Sequence, residues 1–155
     1  MDGWGTWGAS WVWSLVLVAI TIAIHAVGIV LIGSASRLAG TKLLRRGRTY
    51  VDSAPAAIVL IVAVALALAV LHATESMAWA IVYVWLGALP SPAEAALYSV
   101  DSMTTRGASG LFVAPQWSMM GATEAGDGML LFGISTAFLF YVMLHFWKDE
   151  SQNAK

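Results

Sequence analysis

Cysteine is absent from the 155 residues, so disulfide frameworks, thiolate metal sites and cysteine nucleophiles are excluded. Charge is nearly as scarce. Asp, Glu, Lys and Arg together make up 11% of the chain, against about 25% in an average globular domain. Hydrophobic residues reach 59% and the mean hydropathy is +0.77, which leaves too little polar surface to face water on all sides. The net charge of -1 supplies no basic field for nucleic acid. No stretch resembles a catalytic triad, a phosphate loop or a zinc-hydrolase motif. These absences argue against a soluble enzyme, a nucleic-acid binder or a disordered tail. They point to an all-α integral membrane protein of one domain, in contact with the lipid bilayer.

A helix needs roughly 20 mostly apolar residues to cross about 30 Å of hydrocarbon, and three stretches meet that need. The first runs from about Trp11 to Gly33, with His25 as its only ionisable group. The second opens after Asp52-Ser53-Ala54-Pro55, a cap-and-proline start signal. It continues through His72 and Glu75 to about Leu86. The third runs from about Ser118 to Trp147, with Glu124 and Asp127 near its start. No secretory signal is read at the N-terminus, because Asp2 and no Lys or Arg precede the first apolar run.

Orientation follows from loop charge. Arg37, Lys42, Arg45, Arg46 and Arg48 lie between the first two spans, opposed by Asp52 alone. Five of the eight basic residues in one short connection make it cytoplasmic by the positive-inside rule. The N-terminus is then outside, the tail Lys148–Lys155 is inside, and the expected location is the plasma (inner) membrane. Trp4, Trp7, Trp11, Trp13, Trp85 and Trp117 all fall near expected outer ends, either as an interfacial aromatic belt or as helix–helix packing. The arginines are not spaced every third residue, which argues against a voltage sensor.

Between the second and third spans, Gly87-Ala88-Leu89-Pro90 breaks the helix and Ser91-Pro92-Ala93-Glu94 starts another. The latter is a capping box with proline at the first helical position. It predicts a helix to about Met103, about 18 Å long and too short to span. Thr104-Thr105-Arg106-Gly107-Ala108-Ser109-Gly110 follows, rich in small residues and unsuited to helix. Such backbone is tolerated at membrane depth only where protein buries it or it lines an aqueous path. The segment reads either as an outer loop with an interfacial helix or as a re-entrant pore loop.

Ser99-Val100-Asp101-Ser102-Met103-Thr104-Thr105 with Gly107 resembles the pore helix and filter mouth of the potassium-channel superfamily. There a similar stretch leads into Thr-Thr-Val-Gly-Tyr-Gly-Asp. Glu124, Asp127-Gly128 and Leu131-Phe132-Gly133-Ile134-Ser135-Thr136 look like the inner helix of small bacterial members that carry an extra N-terminal helix, as do His72 and Glu75 on the second span. The resemblance covers about Pro55 to Met143. It implies a homotetramer around a central axis, with a pore module over 55–147. Residues 1–54 would be the extra helix and basic loop, and 148–155 a cytoplasmic tail. No enzymatic activity and no cofactor is implied beyond a permeant or bound inorganic cation.

Matched position by position, Thr105 and Gly107 keep the family residues. Arg106 stands at the Val position, Ala108 at the Tyr, Ser109 at the second Gly and Gly110 at the Asp. Family filters bind ions through backbone carbonyls, with glycine where the backbone is left-handed. Ser109 there would cost roughly 1–2 kcal/mol per subunit. Even lenient insertion scales set one unpaired membrane Arg at about 2.5–3.5 kcal/mol, so Arg106 calls for a partner. The candidate is Asp101, which would support the filter-like loop from the pore helix; the alternative is Arg106 reaching out to solvent. These departures argue against highly potassium-selective conduction.

His72 and Glu75 sit three apart on one helical face, which is also metal-ligand spacing. Glu124 and Asp127 are expected in the same outer half of the membrane, so the four form either a hydrogen-bonded bracket or a cation site. His25 is expected in the inner half, away from the others, as a packing histidine. Gly128 and Gly133 are candidate gating hinges or close-packing positions, with packing favoured for Gly128. Three functions are consistent with these residues: a channel with an altered filter, a non-conducting channel-like scaffold acting through partners, and a divalent-cation binding or transport protein.

Overall fold

The computed structural model describes residues 3–44, 50–107 and 110–153, and the side chains of 7–40, 55–107 and 110–144. Within them the chain is all-helical: α1 (Gly3–Leu44), α2 (Tyr50–Trp85), α3 (Pro92–Met103) and α4 (Ser118–Asn153), with a 3₁₀ turn at Pro115–Trp117. Three stretches are long and apolar enough to cross a membrane: Trp7–Gly40, Pro55–Trp85 and Pro115–Leu144. Their apolar side chains point outward as well as inward. Leu15, Val30, Val59, Leu66, Val70, Ile81 and Met129 are all exposed, as lipid-facing helices require.

Some boundaries differ from the sequence reading. Helix α1 does not stop at Gly33 but continues through Gly40 to Leu44. An isolated helical glycine costs only about 1 kcal/mol. Arg37 and Lys42 therefore lie on the helix itself, while Arg45, Arg46 and Arg48 fall outside the described residues. Helix α2 begins at Tyr50 with Pro55 inside it, not after the Asp52–Pro55 signal. One turn from a helix start, Pro55 forfeits a single hydrogen bond, to the Val51 carbonyl. Helix α4 runs on past Trp147 to Asn153. The short helix α3 has the expected bounds, and Ser91 Oγ accepts a hydrogen bond from the Glu94 N–H at 3.2 Å.

The chain forms two compact units. The first holds the residues up to His25 and His72–Phe132; the second holds Ala26–Leu71 and the residues from Gly133 onward. The second has a small apolar core of Val64, Leu68 and Val142 with Ile29, Ile32, Leu71, Phe138 and Leu139.

In the first unit, α2 ends in a Schellman turn. Gly87 N–H bonds the Val84 carbonyl (3.0 Å) and Ala88 N–H the Tyr83 carbonyl (2.8 Å), with Gly87 at φ +63. The chain then reverses, and α3 runs back along α2. Tyr98 packs edge-on against Tyr83 with ring centroids 5.3 Å apart. At the far end Ser76 Oγ donates to Met103 Sδ at 3.2 Å. After α3 the chain returns, and the Ala114 N–H bonds the Ala88 carbonyl at 3.1 Å. Residues 88–114 thus form an excursion closed at its base. Trp79, Tyr83, Ala95, Met103, Met120 and Leu131 fill the core beside it.

Helix α3 lies against α4 at two glycines. A Cβ on Gly121 would meet the Tyr98 hydroxyl, and one on Gly128 the Met103 carbonyl oxygen. In lipid, apolar contact carries little driving force and close backbone approach takes its place, which gives Gly128 a packing role. Gly133 has nothing within 4 Å of an added Cβ. Gly128→Ala is therefore expected to lower stability by about 1–3 kcal/mol, whereas Gly133→Ala should be neutral or gain up to about 1 kcal/mol. Unfolding of both variants in detergent micelles measures the difference, and equal effects would refute the contact.

Candidate functional site

Polar residues in the first unit fall on inward stripes of their helices. On α1 the buried positions are Ser10, Ser14, Leu17, Thr21 and His25, spaced by three or four as one helical face requires. On α2 they are His72, Glu75, Ser76, Trp79 and Tyr83, and on α4 Met120, Glu124, Asp127 and Leu131. Each carboxylate on these stripes joins different helices. In hydrocarbon such a group must find its partners inside the protein.

Deepest is Glu75, whose Oε1 lies 2.8 Å from His25 Nδ1 and whose Oε2 lies 3.2 Å from His72 Nδ1. The two imidazoles approach each other with centroids 5.2 Å apart, and His72 stacks on Phe132 at 4.1 Å. One turn nearer the α3 side, Asp127 Oδ2 accepts from Thr21 Oγ1 at 2.6 Å and from Trp79 Nε1 at 3.3 Å. Beyond it, Glu124 Oε2 accepts from Tyr83 OH at 2.8 Å, and Glu124 Oε1 from Ser99 Oγ. Ser99 Oγ also lies 2.6 Å from the Ser76 carbonyl, so α3 is tied to α2 and α4 through one hydroxyl. Burial pushes the Tyr98 phenol above its ordinary value, and the Glu124 carboxylate adds to the effect.

The sequence reading grouped His72, Glu75, Glu124 and Asp127. The structure joins His72 to Glu75 directly and gives Asp127 and Glu124 their own partners in the same unit. His25 is corrected: it is not remote but bonded to Glu75. Depth explains this. Trp13 and Trp85 pair edge-on at 5.3 Å, so α1 and α2 are antiparallel and in register from that level. Twelve or thirteen residues further along each helix, about 20 Å, His25 and His72 reach the same depth. Thr21, Ser76, Trp79 and Tyr83 had no role in the sequence reading, and Ser99 entered it only within the pore-helix resemblance. Their signal was periodic: Thr21 lies four before His25, and His72, Glu75, Trp79 and Tyr83 follow one helical face.

The filter-like stretch opens as a second Schellman turn. Thr105 N–H bonds the Ser102 carbonyl at 2.8 Å and Arg106 N–H the Asp101 carbonyl at 2.9 Å. Thr105 takes the left-handed position at φ +56, where α2 uses Gly87. Arg106 Nη1 lies 3.1 Å from Asp101 Oδ1; Asp101 is buried, while the Arg106 side chain is 67% exposed. Both sequence alternatives for Arg106 thus describe part of its placement: paired at one nitrogen, open to the surroundings over the rest. Thr104 Oγ1 donates to the Val100 carbonyl at 2.7 Å, within the last turn of α3. Gly107 and Gly110 adopt φ +81 and +80. Ala108 and Ser109 lie outside the described residues.

A β-branched residue at positive φ is uncommon and costs about 1–2 kcal/mol. Thr105→Gly is accordingly expected to raise stability by about 1 kcal/mol in thermal unfolding. A loss of stability would show that the threonine side chain makes a compensating contact.

No protein-family model, no curated protein and no solved structure matches this chain.

Proposed function

We propose that the chain is an ion-channel-like membrane protein whose residues 55–147 act as a pore module resembling that of the potassium-channel superfamily. Four copies would surround a central axis, with the N-terminus outside and the C-terminus cytoplasmic in the plasma membrane. One observation carries this reading: the excursion of residues 88–114. A capped twelve-residue helix runs back along α2, ends at a polar turn, and the chain returning from it is tied to its base by the Ala114–Ala88 bond. A re-entrant loop needs its non-helical backbone satisfied by surrounding protein, and these bonds support that reading. Exposed Leu97 and Val100 on α3, with Met129 and Leu130 on α4, offer apolar surface for neighbouring copies or lipid.

The altered filter sets the expected behaviour. With Arg106 exposed and Tyr replaced by Ala108, a ring of guanidinium groups would face the ions near the filter mouth. Weak cation selectivity, or a selectivity changed by that ring, follows from its charge. The non-conducting scaffold is the second reading, and the left-handed Thr105 favours it. A carbonyl-lined filter needs successive oxygens along one axis, and here the first residues of the stretch are spent closing the end of α3.

Purified protein in liposomes, tested under potassium, sodium and chloride gradients, separates the two. Cation flux supports the channel; no flux from protein confirmed as a tetramer supports the scaffold. In a conducting protein, Arg106→Val should raise cation over chloride permeation severalfold, and an unchanged ratio would remove Arg106 from the ion path. Asp101→Asn should lower stability by about 1 kcal/mol, the modest value expected of a pair with one exposed partner, and reversing both charges should partly restore it.

A further inference from the structure

We infer that His25, His72 and Glu75 form a binding site for a divalent first-row transition-metal ion, zinc being the simplest fit. Three ligand atoms, one from each side chain, lie within 4.8 Å of one another in a fully buried setting. His25 Nδ1 hydrogen-bonds one oxygen of the carboxylate at 2.8 Å, and His72 Nδ1 lies 3.2 Å from the other. An ion about 2.0–2.1 Å from each ligand holds them about 3.3 Å apart; both N–O separations already lie within about half an ångström of that, and the two imidazoles, within 4.8 Å at their ligand atoms, would close on the ion by side-chain motion. Two imidazoles with one carboxylate are donors suited to zinc, iron, cobalt or nickel rather than to magnesium or calcium.

A second observation points the same way. Asp127 Oδ1 is buried and accepts no hydrogen bond among the described residues. Its other oxygen is held by Thr21 and Trp79, each one turn from a proposed ligand. The +2 charge of such an ion matches that of two carboxylates, and hydrocarbon penalises carboxylate charge that nothing balances. Asp127 would then act as an outer-shell partner that orients and balances the ion. The ligands come from α1 and α2, so the ion would fasten the extra N-terminal helix to the pore-like module. This inference does not depend on whether the protein conducts.

The test uses the full chain, free of any polyhistidine tag, purified in detergent and stripped with chelator. Titration with cobalt(II) should give a visible absorption band saturating at one equivalent per chain, and zinc should displace it. Glu75→Gln and His25→Gln should each weaken binding tenfold or more. Asp127→Asn should weaken it about tenfold with the band retained, and His145→Ala, removing the only other histidine, should change nothing. If the ligand variants do not fold, X-ray absorption at the zinc edge of the wild-type protein decides: two imidazoles in the first shell support the site. Absence of a stoichiometric cobalt band in folded wild-type protein, a zinc shell without imidazole, or loss of binding in His145→Ala would each overturn it.

Discussion

The structure depends on one constraint: a carboxylate buried in a helix that faces lipid must have its partners supplied by other helices. Burying apolar side chains against each other gains little when the alternative surroundings are hydrocarbon. Glu75, Asp127 and Glu124 therefore do much of what a hydrophobic core does in a water-soluble domain. Glu75 binds α2 to α1 through His25, Asp127 binds α4 to α1 and α2, and Glu124 binds α4 to α2 and α3. Each acid is a junction with a different set of helices, so the three together fix register as well as proximity.

Small residues complete what the acids begin. The Met103 carbonyl can sit against α4 only because Gly128 has no side chain there, and the Tyr98 hydroxyl likewise at Gly121. Ser99 lies between these contacts and reaches Glu124. The contacts Tyr98–Gly121, Ser99–Glu124 and Met103–Gly128 advance along both helices in the same direction. Helix α3 is thus held along its length, although twelve residues form too short a helix to be stable alone.

Much of this was legible in the residues. The Ser91–Glu94 box fixed the start of α3 because capping is a local interaction of neighbouring residues. The three spans were visible because bilayer thickness imposes a minimum apolar length. His25 was misplaced because depth was counted along each helix separately, whereas the antiparallel packing of α1 and α2, seen at Trp13–Trp85, brings His25 and His72 together. The turn at Thr105 was also invisible: nothing in a threonine announces positive φ, and glycine is what the rule anticipates there. Residue type reported which groups needed partners, and packing decided which partners they received.

The Thr21–Asp127 bond joins residues 106 positions apart in the chain. During synthesis at about 5–20 residues per second, α1 would enter the bilayer several seconds before α4 exists. Through that interval Thr21 can turn its hydroxyl back onto the Leu17 and Val18 carbonyls, at 2.9 and 3.0 Å. The helix thus carries its own acceptors for the interval before Asp127 is made.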